Sequence, residues 1–444
     1  MSRSTSRTCA SAWTLSIRTD ASCSPAQPVL RWEGSEMTMT IFEGALVFDG
    51  TGAPAARLDI AVEGDRIVET GTGLTGDVRV DVSGKTILPG MFDCHVHILG
   101  VQPKVADRLN EPFSFQFYNA ISNLENSLKG GITMIRDCAG ADLGLKQALK
   151  DGLFPGPRVQ VSITAMSQTG GHMDGWTPST MWVDPYYVPH PGRPTSISDG
   201  VTGVRKAVRQ AVRAGADFIK VLATHAGSAR YDLTRYSVEE LEAIGEEARA
   251  AGLPVVVHAY GSDAVKDAIR HAGARSIEHL IDLDDEAMDL MVERGVWLVP
   301  TMSRLVLKAE AASPQKEMRD TLGHQDAGHD VQHQAHLALS TLKQAHDRGV
   351  KIAMGTDFGN NAGDNLVELR MMQLAGMPAE AVLHAATLSS AELMGVDAEL
   401  GSIEAGKIAD LVILDGAGVE DLSNVTERIR SVYQDGRCVH HRAD

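Results

Sequence analysis

The sequence has few cysteines, few aromatic residues and no long hydrophobic run. Five cysteines are scattered over 444 residues without a CxxC pair. This spacing excludes a disulfide framework and favours a reducing, cytoplasmic location. No apolar stretch approaches the roughly 20 residues that a membrane-spanning helix needs, so we expect no membrane partner. Basic residues are outnumbered 41 to 58 and form no long run, which argues against a nucleic-acid partner.

The first 36 residues differ in composition from the rest. They are rich in Ser, Thr, Ala and Arg, and their most apolar stretch, residues 9–17, is interrupted by Ser and Thr. A secretion signal needs a continuous apolar core of about 7–15 residues. We therefore expect residues 1–36 to be a disordered extension, with a secretion signal as the alternative.

Short apolar runs alternate with helical patterns through the middle of the chain. We predict strands at 86–97, 133–137, 158–164, 218–224, 254–259, 276–280, 297–301 and 352–357. Between the fourth and fifth strands, Ser237 and Glu240 have the spacing of a capping box, and Gly252 ends the helical pattern. Eight buried strands alternating with helices predict an α/β fold, a (β/α)8 TIM-like barrel over residues 87–397. A doubly wound sheet is the alternative, but its glycine-rich phosphate turn is lacking.

The two ends of the ordered chain have strand and turn patterns instead. Residues 37–86 contain the turn sequences Asp49-Gly50-Thr51-Gly52 and Glu63-Gly64-Asp65, and residues 398–444 are similar. We expect these two segments to form one small β-sandwich next to the barrel.

Several metal-ligating side chains fall where the predicted strands end. The set consists of His95, His97, Lys220, His258, His279 and Asp357. Barrel active sites are built at the carboxyl ends of the strands. Residues i and i+2 of a strand face the same way, so His95 and His97 can bind one ion together. His258 and His279 could hold a second ion, and Asp357 adds an oxygen ligand or proton acceptor. Singly, each has an ordinary explanation, as a core histidine, a turn aspartate or a barrel lysine.

These motifs resemble those of a known family. Leu88-Pro-Gly-Met-Phe-Asp-Cys-His95-Val-His97 resembles the opening signature of the amidohydrolase superfamily of metal-dependent hydrolases. Lys220, His258, His279 and Gly355-Thr-Asp357 match the remaining ligand positions in order, and residues 401–410 resemble the strand that closes the small β-sandwich. Within the superfamily, the binuclear imidazolonepropionase-like and Xaa-Pro dipeptidase-like branch carries a Gly-Gly-His after the third strand. Gly170-Gly171-His172 resembles that motif, and the branch includes ochratoxinase-type amidases.

The resemblance implies two divalent metal ions and a mechanism. The implied ligands are His95, His97 and Asp357 for one ion, His258 and His279 for the other, and a Lys220 carbamylated by CO2 between them. These ligand types suit zinc, although manganese and cobalt accept them too. A hydroxide shared by the metals would attack the amide, Asp357 would pass a proton to the leaving amine, and His172 would polarise the carbonyl. The resemblance also implies a homo-oligomer.

Four residues are candidates for substrate contact. His225 follows the strand that carries the lysine, where related dipeptidases have glycines, and it either reaches the substrate or caps a loop. Arg230 and Tyr231 follow closely, and an arginine here could bind a substrate carboxylate or lie in a solvated loop. Trp176 belongs to a long aromatic loop, residues 173–195, which predicts either a wall for an apolar substrate group or a subunit contact.

A second histidine cluster has the spacing of a zinc protease but lacks its glutamate. His329 and His333 are four residues apart, with His324 and His336 nearby, yet Asp330 stands where the HExxH motif requires Glu. We expect a surface helix here.

The sequence therefore predicts a binuclear metal-dependent amidohydrolase of small molecules, such as a dipeptide, an N-acyl amino acid or an ochratoxin-like amide. A hydrolase of a cyclic amide, urea or imidazolone is the alternative with the same residues. A non-catalytic barrel is the alternative from another class, but a scaffold does not need Asp357.

Overall fold

The computed structural model describes residues 38–100, 110–176, 187, 189–224, 235–280, 282–311, 328–359 and 363–443. The extension at residues 1–36 lies outside this part of the chain. The strands are β1 (Met39–Val47), β2 (Ala56–Glu63), β3 (Arg66–Gly71), β4 (Val78–Asp81), β5 (Thr86–Pro89), β6 (Met91–Val96), β7 (Ile132–Asp137), β8 (Arg158–Val161), β9 (Ala165–Met166), β10 (Ile219–Leu222), β11 (Val255–His258), β12 (Ala274–Glu278), β13 (Trp297–Val299), β14 (Lys351–Ile352), β15 (Leu411–Leu414), β16 (Ile429–Gln434) and β17 (Arg437–His441).

Helices separate most of the central strands. They are α1 (Phe115–Lys129), α2 (Leu143–Lys150), α3 (Gly200–Arg213), α4 (Val238–Ala250), α5 (Ser262–Asp267), α6 (Asp285–Arg294), α7 (Met302–Ala311), α8 (Gly328–Arg348), α9 (Val367–Leu374), α10 (Ala379–Ala386), α11 (Leu388–Met394) and α12 (Val425–Arg428), with a π-helical turn at Ala268–Ala272. The predicted capping box of α4 is confirmed, because Ser237 and Glu240 exchange both hydrogen bonds.

The central strands form a parallel barrel. β6, β7 and β8 pair in parallel, and β9 to β14 form a second parallel series. Backbone bonds join the two sets: Asp217 N–H donates to Val161 O at 2.8 Å, and Cys94 N–H donates to Met354 O at 2.8 Å. The third barrel position is shared by β8 and β9, which are separated by Ile163 at φ 69°. Counting that position once, eight strand positions close the ring, and the predicted barrel is confirmed.

Both ends of the described chain build one small β domain. Its strand order is β17-β16-β15-β5-β1-β2-β3, with β4 paired to β1. Apolar side chains from both ends, such as Phe42, Ile60 and Ile413, are buried together in its core. The predicted small β domain made from both termini is therefore confirmed.

The single strand expected at 86–97 is wrong. Residues 86–97 form two strands, β5 in the small sheet and β6 in the barrel. Pro89 lacks the N–H needed to continue a β-ladder, and Gly90 N–H donates a hydrogen bond to Asp410 O at 2.8 Å. The chain passes from one sheet to the other at this point, and His95 follows directly in β6.

Gly90→Ala should destabilise the protein by about 1–3 kcal/mol, the usual range for overpacking. A Cβ at this position would lie 2.8 Å from the Cβ of Asp410 and even closer to Thr133. Denaturant unfolding measures the change. Gly203→Ala is the control, because its Cβ would meet no atom nearer than 3.9 Å, and it should be neutral or stabilising. An unchanged unfolding midpoint in the Gly90 variant would contradict the prediction.

Within the described residues, no helix combines the length and apolar character required to cross a bilayer.

Candidate active site

The predicted ligands converge at the carboxyl end of the barrel. The ring centroids of His95 and His279 are 4.8 Å apart, and those of His258 and His279 are 4.4 Å apart. His97 Nε2 lies 3.2 Å from Asp357 Oδ1. Residues from β6, β11, the end of β12 and the segment after β14 thus surround one space.

Lys220 reaches the same space from β10. It is 1% exposed, and its Nζ has no hydrogen-bond partner among the described residues. β10 pairs in parallel with β11, and Leu222 is opposite His258. Lys220 lies two residues before Leu222 on β10, so it is close to the strand end that carries His258. Burial lowers the pKa of both His95 and His258, and the nearby charge of Lys220 lowers it further.

Three of the histidines are fixed through Nδ1. His95 Nδ1 is bonded to Glu278 Oε2 at 2.7 Å, and His279 Nδ1 to Thr301 Oγ1 at 2.7 Å. His97 Nδ1 is bonded to the Ala139 carbonyl at 3.2 Å. Metal-ligating histidines usually hold one ring nitrogen in this way and present the other to the ion.

The fourth histidine has a ring nitrogen without a partner. Nε2 of His258 is buried and makes no hydrogen bond within the described part of the chain. A buried polar atom without a partner costs free energy unless a ligand satisfies it. Together with the other histidines and the carboxylate of Asp357, this nitrogen fits a bound cation.

The buried imidazoles of His95, His258 and His279 are neutral at pH 7. Burial and the charge of Lys220 lower the pKa of His95 to about 4, and burial lowers the pKa of His258 and His279 well below the usual value. Neutral imidazole is the form that binds metals. Although burial favours the neutral acid, Arg304 and the nearby histidines hold the pKa of Asp357 well below its usual range, so this carboxyl is ionised.

The backbone is strained at this site. His279, Thr301 and Asp357 have φ values of 75°, 49° and 59°, in the left-handed region that non-glycine residues rarely adopt. Such strain costs of order 1–3 kcal/mol per residue and clusters at functional sites. The strained residues here are two predicted ligands, His279 and Asp357, and Thr301, whose hydroxyl is bonded to His279.

A buried network that the sequence analysis missed supports His95. Glu278 is fully buried and accepts bonds from Arg136 Nη2 at 2.8 Å and Ser276 Oγ at 2.5 Å, besides contacting His95. Arg136 and nearby polar groups lower the pKa of Glu278 despite its burial, so it is ionised. The available signal was the occurrence of charged residues inside two apolar strands, at Arg136 and Glu278.

A second carboxylate ties β6 to the segment that carries Asp357. Asp93 accepts bonds from Thr356 Oγ1 at 2.6 Å and Asn365 Nδ2 at 2.8 Å, and from the backbone N–H of His95 at 3.1 Å. Burial raises the pKa of Asp93 to about 6. One side chain therefore positions both His95 and Asp357.

Glu278→Gln should weaken metal affinity about 10- to 100-fold, the usual effect of losing a group that orients a ligand. The amide keeps the shape but lacks the charge that holds the His95 tautomer. Titration of the metal-free protein measures the affinity. Ser276→Ala is the matched control, because it removes another bond to Glu278 without touching His95, and it should change affinity less. Equal effects of the two variants would contradict the prediction.

The other predicted residues have different locations. The ring of His172 lies 4.9 Å from that of His258, so it borders the site. Trp176 is 68% exposed. His225, Arg230 and Tyr231 lie outside the described residues. On α8, His333 and His336 are exposed, as expected for a surface helix, and His324 is outside the described range.

Comparison with known proteins agrees with this arrangement. The model of the family described as "Amidohydrolase family" matches residues 86–439. The chain belongs to the amidohydrolase family. The predicted superfamily is thereby confirmed.

The similar proteins include an ochratoxinase, an imidazolonepropionase and a Xaa-Pro dipeptidase. Ochratoxinase of Aspergillus niger is 30% identical over 439 residues, covering 94% of this chain and 87% of the relative. Imidazolonepropionase of Symbiobacterium thermophilum is 30% identical over 222 residues, covering 46% and 45%. The solved structure of a Xaa-Pro dipeptidase with bound methionine in the active site is 31% identical, with a TM-score of 0.78, and covers 91% of this chain and 100% of that one. The chain is an amidohydrolase-superfamily hydrolase, close to ochratoxinase and dipeptidase-like enzymes.

Proposed function

We propose that this amidohydrolase is a binuclear metal enzyme that hydrolyses an amide bond in a small molecule, such as a dipeptide, an N-acyl amino acid or an ochratoxin-like amide. The observation that carries the proposal is the convergence of four imidazoles, one carboxylate and one buried lysine on a single space. Three imidazoles are oriented through Nδ1, as expected of ligands.

Lys220 favours two ions over one. A buried ammonium without a partner costs several kcal/mol, and Lys220 is 1% exposed with no bond to Nζ among the described residues. Addition of CO2 to the amine, with release of a proton, gives a carbamate anion with two oxygens. Such a group would bridge two cations, which the histidine and carboxylate ligands suggest are zinc.

The remaining chemistry belongs to the protein's own side chains. Bound divalent ions would supply Lewis acidity and lower the pKa of water toward neutrality. Asp357, ionised at pH 7, accepts a proton and returns it to the leaving amine. His172, beside His258, donates a hydrogen bond to the scissile carbonyl oxygen.

Substrate side chains would meet the loops around this space. We retain Trp176, His225, Arg230 and Tyr231 as substrate contacts, and a cytoplasmic homo-oligomer as the expected form. The names of the ochratoxinase and dipeptidase relatives favour a linear amide. Imidazolonepropionase represents the cyclic alternative, but its match covers only 46% of this chain.

Metal analysis and a substrate screen test the proposal. We expect about two metal equivalents per chain and hydrolysis of some members of a library of dipeptides and N-acyl amino acids. Thorough chelation should abolish turnover, and added metal with CO2 should restore it. Protein that binds no metal would support a non-catalytic barrel, and activity confined to cyclic ureas or lactams would contradict the amidase assignment.

A further inference from the structure

A buried thiol lies next to the proposed metal centre and takes no part in the proposed reaction. Cys138 directly follows β7, is fully buried, and donates its backbone N–H to Val96 O at 2.9 Å. Its Sγ, a ring nitrogen of His95 and a carboxylate oxygen of Glu278 all lie within 4.8 Å of one another. These three atoms form a second ligand group, which shares His95 with the proposed centre and adds a sulfur.

The spacing of this group suits a single ion. Ligand atoms that lie about 2.0–2.3 Å from a zinc-like ion are roughly 3–4 Å apart. His95 Nδ1 faces Glu278 Oε2 at 2.7 Å, so Nδ1 is the nitrogen that an ion between these two residues would contact. Arg136 and Ser276 hold the other carboxylate oxygen and fix the carboxylate in place. Small shifts of the side chains therefore bring all three atoms onto one ion.

The donor atoms favour a thiophilic ion. Thiolates bind soft ions well, whereas magnesium and calcium prefer oxygen ligands alone. Burial raises the pKa of the Cys138 thiol, so the free thiol keeps its proton at pH 7, and a coordinating ion displaces that proton. Phe218 and Val256 pack against Cys138, so the sulfur lies in an apolar environment. The thiolate and the Glu278 carboxylate together balance the two charges of a divalent ion, which a buried cation requires.

The shared imidazole makes the two ligand groups compete. A neutral imidazole carries one proton and offers one free nitrogen. In the proposed centre, Nε2 of His95 binds a catalytic ion, while Nδ1 keeps the proton in its bond to Glu278. An ion at Nδ1 moves this proton to Nε2, and His95 then no longer binds the catalytic ion. The second group is therefore inhibitory by construction.

We propose that His95, Cys138 and Glu278 form an inhibitory site for a thiophilic divalent ion such as cadmium, which expels one catalytic ion when it binds. Binding forms a sulfur–cadmium bond, releases the Cys138 proton to solvent and transfers the His95 proton from Nδ1 to Nε2. The cadmium site depends on these three side chains alone, whereas the expulsion of a catalytic ion rests on the proposed binuclear function.

Titration of the full-length, metal-containing protein with cadmium chloride tests the proposal. Wild type should develop an ultraviolet sulfur-to-cadmium charge-transfer band as turnover falls, with release of about one catalytic ion per chain. Cys138→Ser replaces the thiol by a hydroxyl, a poor ligand for soft ions. This variant should lack the band and need about 10- to 100-fold more cadmium for the same fractional inhibition. Cys138→Ala should give the same result if the serine variant folds poorly.

Cys94→Ser is the matched control. Cys94 is equally buried, lies on the neighbouring strand β6, and belongs to no such ligand group among the described residues. Its variant should keep the band and the cadmium sensitivity of wild type. Magnesium chloride should produce neither the band nor ion release in any variant. Any cadmium bound by the other cysteines is common to all these proteins, so the comparison isolates Cys138.

The band and the ion release separate this inference from the proposed function. A band that depends on Cys138, in protein that contains no catalytic ions, would support the cadmium site while the proposed binuclear function fails. Release of catalytic ions without the band, to the same extent in Cys138→Ser, would mean that cadmium exchanges directly into the proposed centre, and would overturn the inference. Equal bands in wild type and Cys138→Ser would overturn it as well.

Discussion

Asp357→Asn should lower kcat about 10²- to 10⁴-fold, the range that general acid–base catalysis contributes. Arg304 and the nearby histidines outweigh burial and hold the pKa of Asp357 well below its usual range, so the wild-type side chain is an anion at pH 7. An asparagine amide has nearly the same shape but cannot accept a proton from water. In the proposed mechanism, the leaving amine then receives no proton from this position.

Steady-state kinetics and metal analysis on the same samples distinguish the lost proton transfer from lost metal. Asp397→Asn is the matched control. Asp397 is exposed on the turn after α11, and it is far in sequence from the predicted ligands. The control should keep wild-type turnover. An Asp357→Asn protein with full metal content and turnover within about threefold of wild type would refute the assigned role.

The local features of the site could be predicted because they depend on short-range geometry. His95 and His97 face the same way since side chains alternate along a strand, and a parallel barrel brings strand ends to one rim. Asp357 also follows from this rule, although β14 itself stops at Ile352 and the segment beyond it is held by single contacts such as Asp357 N–H to His95 O. The types of the residues and their position near strand ends were enough to predict the candidate site, although some predicted strand boundaries were wrong.

The supporting contacts could not be predicted because they join distant parts of the chain. Glu278 is 183 residues from His95, and Arg304 is 53 residues from Asp357. Their contacts depend on how β6 meets β12 across the barrel and on the angle at which α7 leaves β13. Periodicity specifies which face a residue occupies, but it does not specify its partner on another strand. A charged residue inside an apolar strand signals that a partner exists without naming it.

Lys220→Met should abolish measurable turnover while stabilising the metal-free protein. Methionine has a similar length but no charge, so it removes an ammonium that is buried beside neutral imidazoles without a bonding partner in the described structure. Replacing buried charges by apolar groups of similar volume is often stabilising by about 1–4 kcal/mol. Gain of stability with loss of function is the signature of a residue kept for chemistry.

Thermal unfolding of chelator-treated protein measures the gain of stability, and steady-state kinetics with metal analysis measure the loss of turnover and its cause. Lys266→Met is the control, because Lys266 is bonded to Asp284 at 3.1 Å and Glu286 at 3.1 Å and should lose stability instead. Lys220→Ala adds a chemical test, since the space vacated by the side chain can admit a short carboxylate such as acetate, which also offers two oxygens. We expect acetate to restore metal binding in this variant but not in Asp357→Asn. Two tightly held metal ions in Lys220→Ala without acetate would mean that Lys220 does not bridge them.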